Sequence, residues 1–433
     1  MSEDGVIVIS IDDNELRGLR NVCDEIFGEI NFVANVVWQK IHSIKNDARY
    51  FSENHEYAVI YARNIDKIKV GLLPRTAEMN DRYKNPDNDP RGPWQSGDLV
   101  ASGERSNGHF IIKSPRTGKE FDVPQGKHWV YSQENLQKLV DDNQIWFGSD
   151  GNSFPRKKRF LSDVQDGRTP STLWLAEEVG HNQSATREVK ALFDDEKCFD
   201  FPKPIAYIKQ FTQLLSNKDC VVLDFFSGSA TTAHAVMQLN SEDSGNRRFI
   251  MVQLPEETDV KSEAYKTGYK NICEIGKERI RRAGKKIKGD RPLTTQTLDV
   301  GFRVLKCDSS NMKEVYYRPD EVEQTLFDSY ANNIKEDRTS EDLLFQVMLD
   351  LGIELSSKIE ETTIAGCKVF NVAEGFLYAC FDDNISDEVV KAIANEQPYY
   401  AVFRDSGMAS DSVLTNFDQI FASISPTTVR KVL

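Results

Sequence analysis

Apolar and polar positions along this 433-residue chain alternate with two periods, one near two residues and one near 3.6. Residues 5–10 (GVIVIS) predict a short buried strand. Asp12, Asp13 and Asn14 then cap a helix in which Leu16, Leu19, Val22, Cys23 and Ile26 recur at helical spacing, ending near Gly28. Residues 32–38 and 57–61 predict two more strands. From about 74 to 183 the texture changes. Turn pairs such as Asn85-Pro86, Asp89-Pro90, Gly92-Pro93 and Thr117-Gly118 separate short aromatic runs at 109–113, 128–131 and 145–147, with one helix at 133–141. This is an inserted, loop-rich subdomain of the kind that carries recognition. Alternating α/β texture returns at 201–211, with strands at 220–224 and 248–254 and a helix at about 267–285. Residues 301–433 predict a separate α+β domain, with helices at 341–351 and 386–394 and strands at 368–372, 376–381 and 400–403.

The strongest local signal is Cys220-Val221-Val222-Leu223-Asp224-Phe225-Phe226-Ser227-Gly228-Ser229-Ala230-Thr231-Thr232-Ala233-His234. An apolar run ends in an acid, passes a tight turn of small residues and opens into a helix. Open α/β sheets hold a nucleotide-like cofactor with this unit, because small residues admit the ligand and a helix start presents free N–H groups. A phosphate cradle or a purely structural turn is the bland alternative. No G-x-G-x-x-G fingerprint and no P-loop Lys accompany it, which favours a cofactor without a pyrophosphate. Gln253, closing the second strand, stands where a side chain reaches ribose hydroxyls.

Composition changes this picture in three places. Apolar residues at 39 % and aromatics at 10 % suffice for real cores, and no apolar run approaches a membrane span or a signal peptide. Seven scattered cysteines without a C-x-x-C pair predict reduced thiols, and six histidines without ligand spacing predict no structural metal. The net charge of −14 is uneven: residues 301–433 hold 12 basic and 23 acidic side chains, the first 300 hold 42 and 45. An acidic tail therefore coexists with a front half able to face phosphates, and Arg156-Lys157-Lys158-Arg159 is its densest basic run.

At these residues the sequence resembles the amino-methylating DNA methyltransferases of the permuted class, specifically the modification subunits of type III restriction–modification systems. Asp224 through Thr232 is similar to their S-adenosylmethionine loop, D-x-F-x-G-S-G-T-T, with Ala230 in place of the last Gly. Lys203-Pro204 is similar to the K-P segment that contacts the same cofactor. Gly180-His181-Asn182-Gln183, Thr186-Arg187-Glu188, the stretch 247–256 and Val402-Phe403-Arg404-Asp405-Ser406-Gly407 also look like segments of this subfamily, in order along the chain.

The resemblance implies an adenine-N6 methyltransferase that uses S-adenosyl-L-methionine on double-stranded DNA, works in the cytoplasm, forms a homodimer and serves an ATP-dependent restriction subunit. It implies cofactor contacts from Lys203, Pro204, Asp224, Phe226, Ser227, Gly228, Ser229, Ala230, Thr231, Thr232 and Gln253. The Ala230 methyl is expected to narrow the methionine end of the pocket. Arg156, Lys157, Lys158, Arg159, Trp38 and Lys40 are the candidates for DNA contact, against a merely solvated charge run for 156–159 and an equally weighted structural role for Trp38 and Lys40; Trp94 is open between stacking and core, while Trp129, Trp146 and His234 read as packing residues. Family members hold the target amine with a D-P-P-Y tetrapeptide upstream of the first strand. None of these 433 residues supplies it, so the chain reads as a shortened, inactive modification subunit with no catalytic residue of its own. The expected fold class is α/β: an incomplete doubly wound Rossmann-like methyltransferase sheet with bared apolar faces, an inserted DNA-recognition subdomain and a C-terminal α+β domain. Its expected parts are 1–73 (first part of the core), 74–190 (recognition insert), 191–300 (cofactor part of the core) and 301–433 (dimer or partner domain). A non-catalytic DNA-binding specificity subunit is the alternative, and an unrelated α/β enzyme such as an RNA methyltransferase or nucleotide-sugar protein is a third.

Overall fold

A nearly unbroken run of β-branched residues makes β1 (Val6–Ile11), which pairs antiparallel with β3 (His55–Ala62) so that Val8 lies opposite Ile60. In the computed structural model, which describes residues 1–433 except 45, 293–294 and 314–333, this pair grows into a four-stranded sheet of order β1-β3-β2-β11. Here β2 (Phe32–Gln39) runs antiparallel to β3, and β11 (Leu173–Trp174) joins β2 in parallel. The period-two alternation sorts the two faces. Ile7, Ile9 and Ile11 meet α1 (Leu16–Phe27) through Leu16, Leu19 and Cys23. Val6, Val8, Val36 and Trp38 meet α6 (Ile205–Leu215) through Tyr207, Phe211 and Leu214.

The described residues divide into two units, Met1–Phe302 and Arg303–Leu433. Within the first, the segment after β3 holds α2 (Ala77–Asp81) and a three-stranded antiparallel sheet of β4 (Trp94–Gly97), β10 (Arg156–Phe160) and β9 (Ile145–Trp146). Two small pairs, β5 (Val100–Ser102) with β8 (Lys127–Trp129) and β6 (Ile112–Lys113) with β7 (Glu120–Phe121), complete it with α3 (Gln133–Asp141). Leu99, Phe121, Trp129, Leu136 and Phe147 form its core. Trp129 is thus a core residue, and so is Trp94, whose buried indole Nε1 donates to Asp87 at 2.8 Å. The basic run 156–159 lies in the middle strand of this sheet.

Beyond α4 (Ala176–Val179), the chain forms α5 (Asn182–Leu192), α6, β12 (Val221–Asp224), α7 (Thr231–Asp243), β13 (Arg248–Met251), α8 (Glu263–Lys266) and α9 (Ile272–Asp290). β12 and β13 pair in parallel, Asp224 beside Met251, as a separate two-stranded sheet rather than as part of the first one. Phe249 and Met251 face the core shared by α7 and α9, while Val221, Leu223 and Ile250 on the other face stand half-exposed. Helix α9 begins five residues later than its periodicity predicts. Gly268 turns at φ +104°, and Asn271 caps the helix by accepting the Glu274 amide at 3.1 Å.

In the second unit, α10 (Ser340–Asp350) starts from a capping box at Thr339 and Asp342. A five-stranded sheet follows in sequence order: β14 (Ile359–Ile364), β15 (Cys367–Val372), β16 (Leu377–Cys380), β17 (Tyr400–Phe403) and β18 (Val429–Val432). The first two pairings are antiparallel and the last two parallel. Phe370, Leu377 and Val402 pack on α10, whereas Val369, Cys380 and Phe403 pack against α11 (Asp387–Asn395) and α12 (Asp411–Ile424).

Candidate functional site

The turn between β12 and α7 is held by its own hydrogen bonds. Asp224 accepts the Phe226 amide at 3.2 Å and the Thr232 hydroxyl at 2.5 Å, so the strand's terminal acid ties down the first turn of the helix. The Ser227 amide donates to the Val252 carbonyl at 3.1 Å, and the Ala230 amide to the Ser227 carbonyl at 2.7 Å. Gln253 lies at the end of the neighbouring strand, but its amide points inward. Its Oε1 accepts the Gly228 amide at 2.7 Å and its Nε2 donates to the Leu254 carbonyl at 3.2 Å, which makes it a clasp on the loop. Phe226, at 83 % exposure, is left standing at the rim.

Two small residues of the loop have different reasons to be small. Gly228 adopts φ +50°, and a Cβ there would meet the Phe199 ring at 3.2 Å. Ala230 sits in the left-handed region at φ 59°, ψ 40°, immediately before α7. It is buried in the core between α7 and α9, close to where Gly276 lacks a side chain. The expectation that its methyl narrows the ligand pocket is therefore corrected. The substitution strains the backbone instead.

A residue that motif reading missed lies beneath the loop. Arg279, on α9 and 1 % exposed, donates from Nη1 to the hydroxyls of Ser229 and Thr231, both at 2.7 Å. Burial lowers its pKa to about 10 against the through-space pull of Glu188, so it stays charged at neutral pH. Glu188, from α5, accepts the Ile205 amide at 3.0 Å at the start of α6, and burial pushes its carboxyl up. His234 packs one turn into α7, where burial and the charges of Arg279 and Lys286 push its pKa down to about 3. The signal for Arg279 was legible in principle, since it falls on the apolar stripe Ile275, Arg279, Ala283 of α9.

Lys203 and Pro204 meet different neighbours. The segment they belong to reaches Gly228 through Phe199. Pro204 packs on Gly180 and starts α6. Lys203 pairs with Glu56 and lies 4.8 Å from the centre of the Trp38 ring. Lys40 pairs with the same Glu56 at 3.1 Å. Burial acts to raise the Glu56 carboxyl, but hydrogen bonds and charge from Lys203 and Lys40 outweigh it and hold it low. Lysines read from sequence as serving different ligands thus share one carboxylate at the end of the first sheet. Trp38 is fully buried and donates its indole N–H to the Gly180 carbonyl at 2.9 Å, so its expected role in DNA contact is corrected to a core role.

Within the strand the four basic residues of 156–159 have different surroundings. Lys158 points inward at 1 % exposure and pairs with Asp87 and, at 2.8 Å, with Asp89. It reaches no solvent, and its expected phosphate contact is likewise corrected. Asp89 also takes Arg91 at 2.9 Å, and these two cations hold its carboxyl well below the usual range. Arg156 pairs with Asp98, Lys157 donates to the Tyr131 hydroxyl at 2.8 Å, and Arg159 is exposed, crossing Gly97. Among the described residues no cluster of three or more His, Cys, Asp or Glu is arranged to hold a metal, and no helix is long and apolar enough to cross a membrane.

Several curated proteins are similar to this chain. It is 38 % identical over 309 residues to the type III restriction-modification enzyme StyLTI Mod subunit of Salmonella typhimurium, covering 70 % of this chain and 45 % of the relative. It is 30 % identical over 429 residues to the EcoPI Mod subunit of Escherichia phage P1, covering 91 % and 63 %. It is 28 % identical over 304 residues to the type II methyltransferase M.KpnI of Klebsiella pneumoniae, covering 65 % and 69 %. The chain spans between about half and two thirds of the length of the two Mod subunits. A family model described as DNA methylase matches residues 1–283, a stretch that takes in the first sheet, the insert and the whole of the Asp224–Thr232 loop, and the chain belongs to that DNA methylase family.

Proposed function

We propose that the chain is a modification subunit of a type III restriction–modification system, a site-specific DNA methyltransferase of the adenine-N6 type that binds S-adenosylmethionine at the Asp224–Thr232 loop. The observation that carries this reading is the β12–α7 turn. It is closed on itself by Asp224, Thr232 and Gln253, while the Phe226 ring, packed against that of Phe225 at 5.2 Å between centroids, remains exposed beside it. A loop of small residues whose Phe226 and Gly228 amides are already paired, with an exposed ring at its rim, suits a nucleoside that stacks on one side and is bounded by backbone on the other. The loop itself contains no lysine or arginine, unlike a P-loop. When bound, S-adenosylmethionine supplies a methyl group already activated by a sulfonium. Phe226 would hold the adenine, Gln253 would use its remaining N–H toward the ribose, and Gly228 to Thr231 would border the amino-acid end.

Double-stranded DNA is the proposed substrate, and the 74–190 segment the proposed recognition part. Arg159, Arg156 and Lys157 are retained there as phosphate contacts, and Lys40 remains a candidate beside Glu56. The unit Arg303–Leu433, with its acidic surplus, is the proposed surface for a second copy and for an ATP-dependent restriction subunit in the cytoplasm. No D-P-P-Y tetrapeptide occurs among these 433 residues, and we propose that they bind cofactor and DNA without turnover. Calorimetric titration with S-adenosylhomocysteine and gel shift of duplex DNA test the reading together. Saturable binding of both supports it, and binding of neither removes it. Tritiated methyl transfer to adenine by the 433 residues alone contradicts the absence of turnover.

A further inference from the structure

We propose that Arg279 is a positioning residue that presents the Ser229–Thr231 turn to the carboxylate end of the cofactor, without itself touching the ligand. This rests on the cofactor reading above. Arg279 occupies the apolar stripe of α9, a place where a charged side chain is costly unless something uses it. One guanidinium nitrogen reaches two hydroxyls, Ser229 Oγ and Thr231 Oγ1, at 2.7 Å each. A guanidinium only donates, so each hydroxyl accepts from it and keeps its own proton to give. A cation on the accepting side polarises those O–H groups and strengthens what they donate to next.

The charge is also met by no direct ion pair among the described residues. Glu188 acts on it through space, while that carboxylate's Oε2 accepts the Ile205 amide. The Arg279 Nε has no hydrogen-bond partner at all. A buried positive charge therefore lies directly behind the turn, where α7 starts and its first amides already favour negative charge. In this poorly solvated setting it is weakly screened. S-adenosylmethionine has a nucleoside at one end and an amino acid at the other, and only the amino-acid end carries an anion. The charge of Arg279 discriminates in favour of that end. Anchoring α9 to α7 is the purely structural alternative, and it predicts no preference between ligands.

The experiment uses the 433-residue chain and two ligands, S-adenosylhomocysteine and 5′-methylthioadenosine, the same nucleoside without the amino-acid end. Arg279→Met is expected to weaken S-adenosylhomocysteine by about tenfold or more while changing 5′-methylthioadenosine by less than about threefold. Arg279→Lys, keeping the charge but not the two-hydroxyl reach, is expected to fall between. Thr231→Val, which removes one acceptor at constant shape, is expected to lose several-fold on S-adenosylhomocysteine only. Equal loss on both ligands, or no loss on either, overturns the positioning role while leaving the cofactor reading in place. If the parent chain binds neither ligand, both ideas fall. Should Arg279→Met not fold, Arg279→Lys and Thr231→Val carry the same comparison between the two ligands, and equal loss on both overturns the role in the same way.

Discussion

Gly228 and Gln253, 25 residues apart, are joined by a 2.7 Å hydrogen bond from the glycine amide to the glutamine side-chain oxygen, which locks the turn after β12 to the end of β13. Removing that acceptor leaves a backbone N–H unpaired in a part-buried place. Gln253→Leu is expected to lower stability by about 1–2 kcal/mol and to weaken S-adenosylhomocysteine about tenfold. Thermal denaturation and calorimetry read the two effects separately. Unchanged ligand affinity would remove Gln253 from the site.

Gly228 and Ala230 should respond differently to a change of one methyl. Gly228→Ala puts a side chain at φ +50° and against the Phe199 ring, and should destabilise by about 1–2 kcal/mol. Ala230→Gly relieves left-handed strain of about 1–2 kcal/mol, offset by about 0.8 kcal/mol of lost methyl burial and by a freer unfolded chain. Its net effect should lie within about 1 kcal/mol of zero, with cofactor affinity unaltered. A large gain in affinity for Ala230→Gly would mean that the methyl faces the ligand after all.

His234 should make the first unit acid-sensitive. Its folded pKa, pushed down to about 3, lies below the ordinary value of about 6.5, so the unfolded chain binds the proton more readily between those limits. The stability is fully present above about pH 6.5 and drains away as pH falls toward 3; between pH 7 and 5 it amounts to about 2 kcal/mol. Glu188, whose carboxyl is raised, acts in the opposite sense, so the comparison is between the parent and His234→Leu. The variant should show a flatter stability profile over pH 5–7 in denaturant titrations; identical slopes count against the assignment.

The insert separates a structural lysine from neighbouring surface arginines. Lys158→Ala leaves Asp89 buried beside a lost cation, with Arg91 and the Asn143 amide left to answer it, and should cost about 3–5 kcal/mol. Arg159→Ala should leave the melting temperature within a few degrees and weaken duplex DNA binding. The salt dependence should fall by about one phosphate contact. Equal effects of the two changes on stability would contradict the inward and outward assignment.

Much of the architecture was legible in the order of residues. β1, α3, β12 and β17 arise where short-range periodicity, caps and turns agree with the final packing, and the small-residue loop at 227–232 declares itself by composition. β14, β18 and α12 were not legible in this way: β14 is mostly solvent-facing and polar, and β18 is a four-residue edge strand. The run 156–159 misled for a related reason. Charge dominates its composition, yet the place of each residue in the sheet decides which side chain meets water: Lys158 is buried, while Arg156 at the strand's start and Arg159 are exposed.

Sequence alone determined the α/β class, the succession of elements and the position of the candidate cofactor loop, because these depend on neighbours within a turn or a strand. Tertiary structure alone decided that Trp38 and Lys158 are buried, that Lys40 and Lys203 share Glu56, and that Arg279 stands under the loop. Each of those facts depends on a partner far along the chain: Lys158 pairs with Asp87 across 71 positions, and Lys203 with Glu56 across 147. A side chain's charge is written in the sequence, but its solvent and its counter-charge are set only when distant segments close around it.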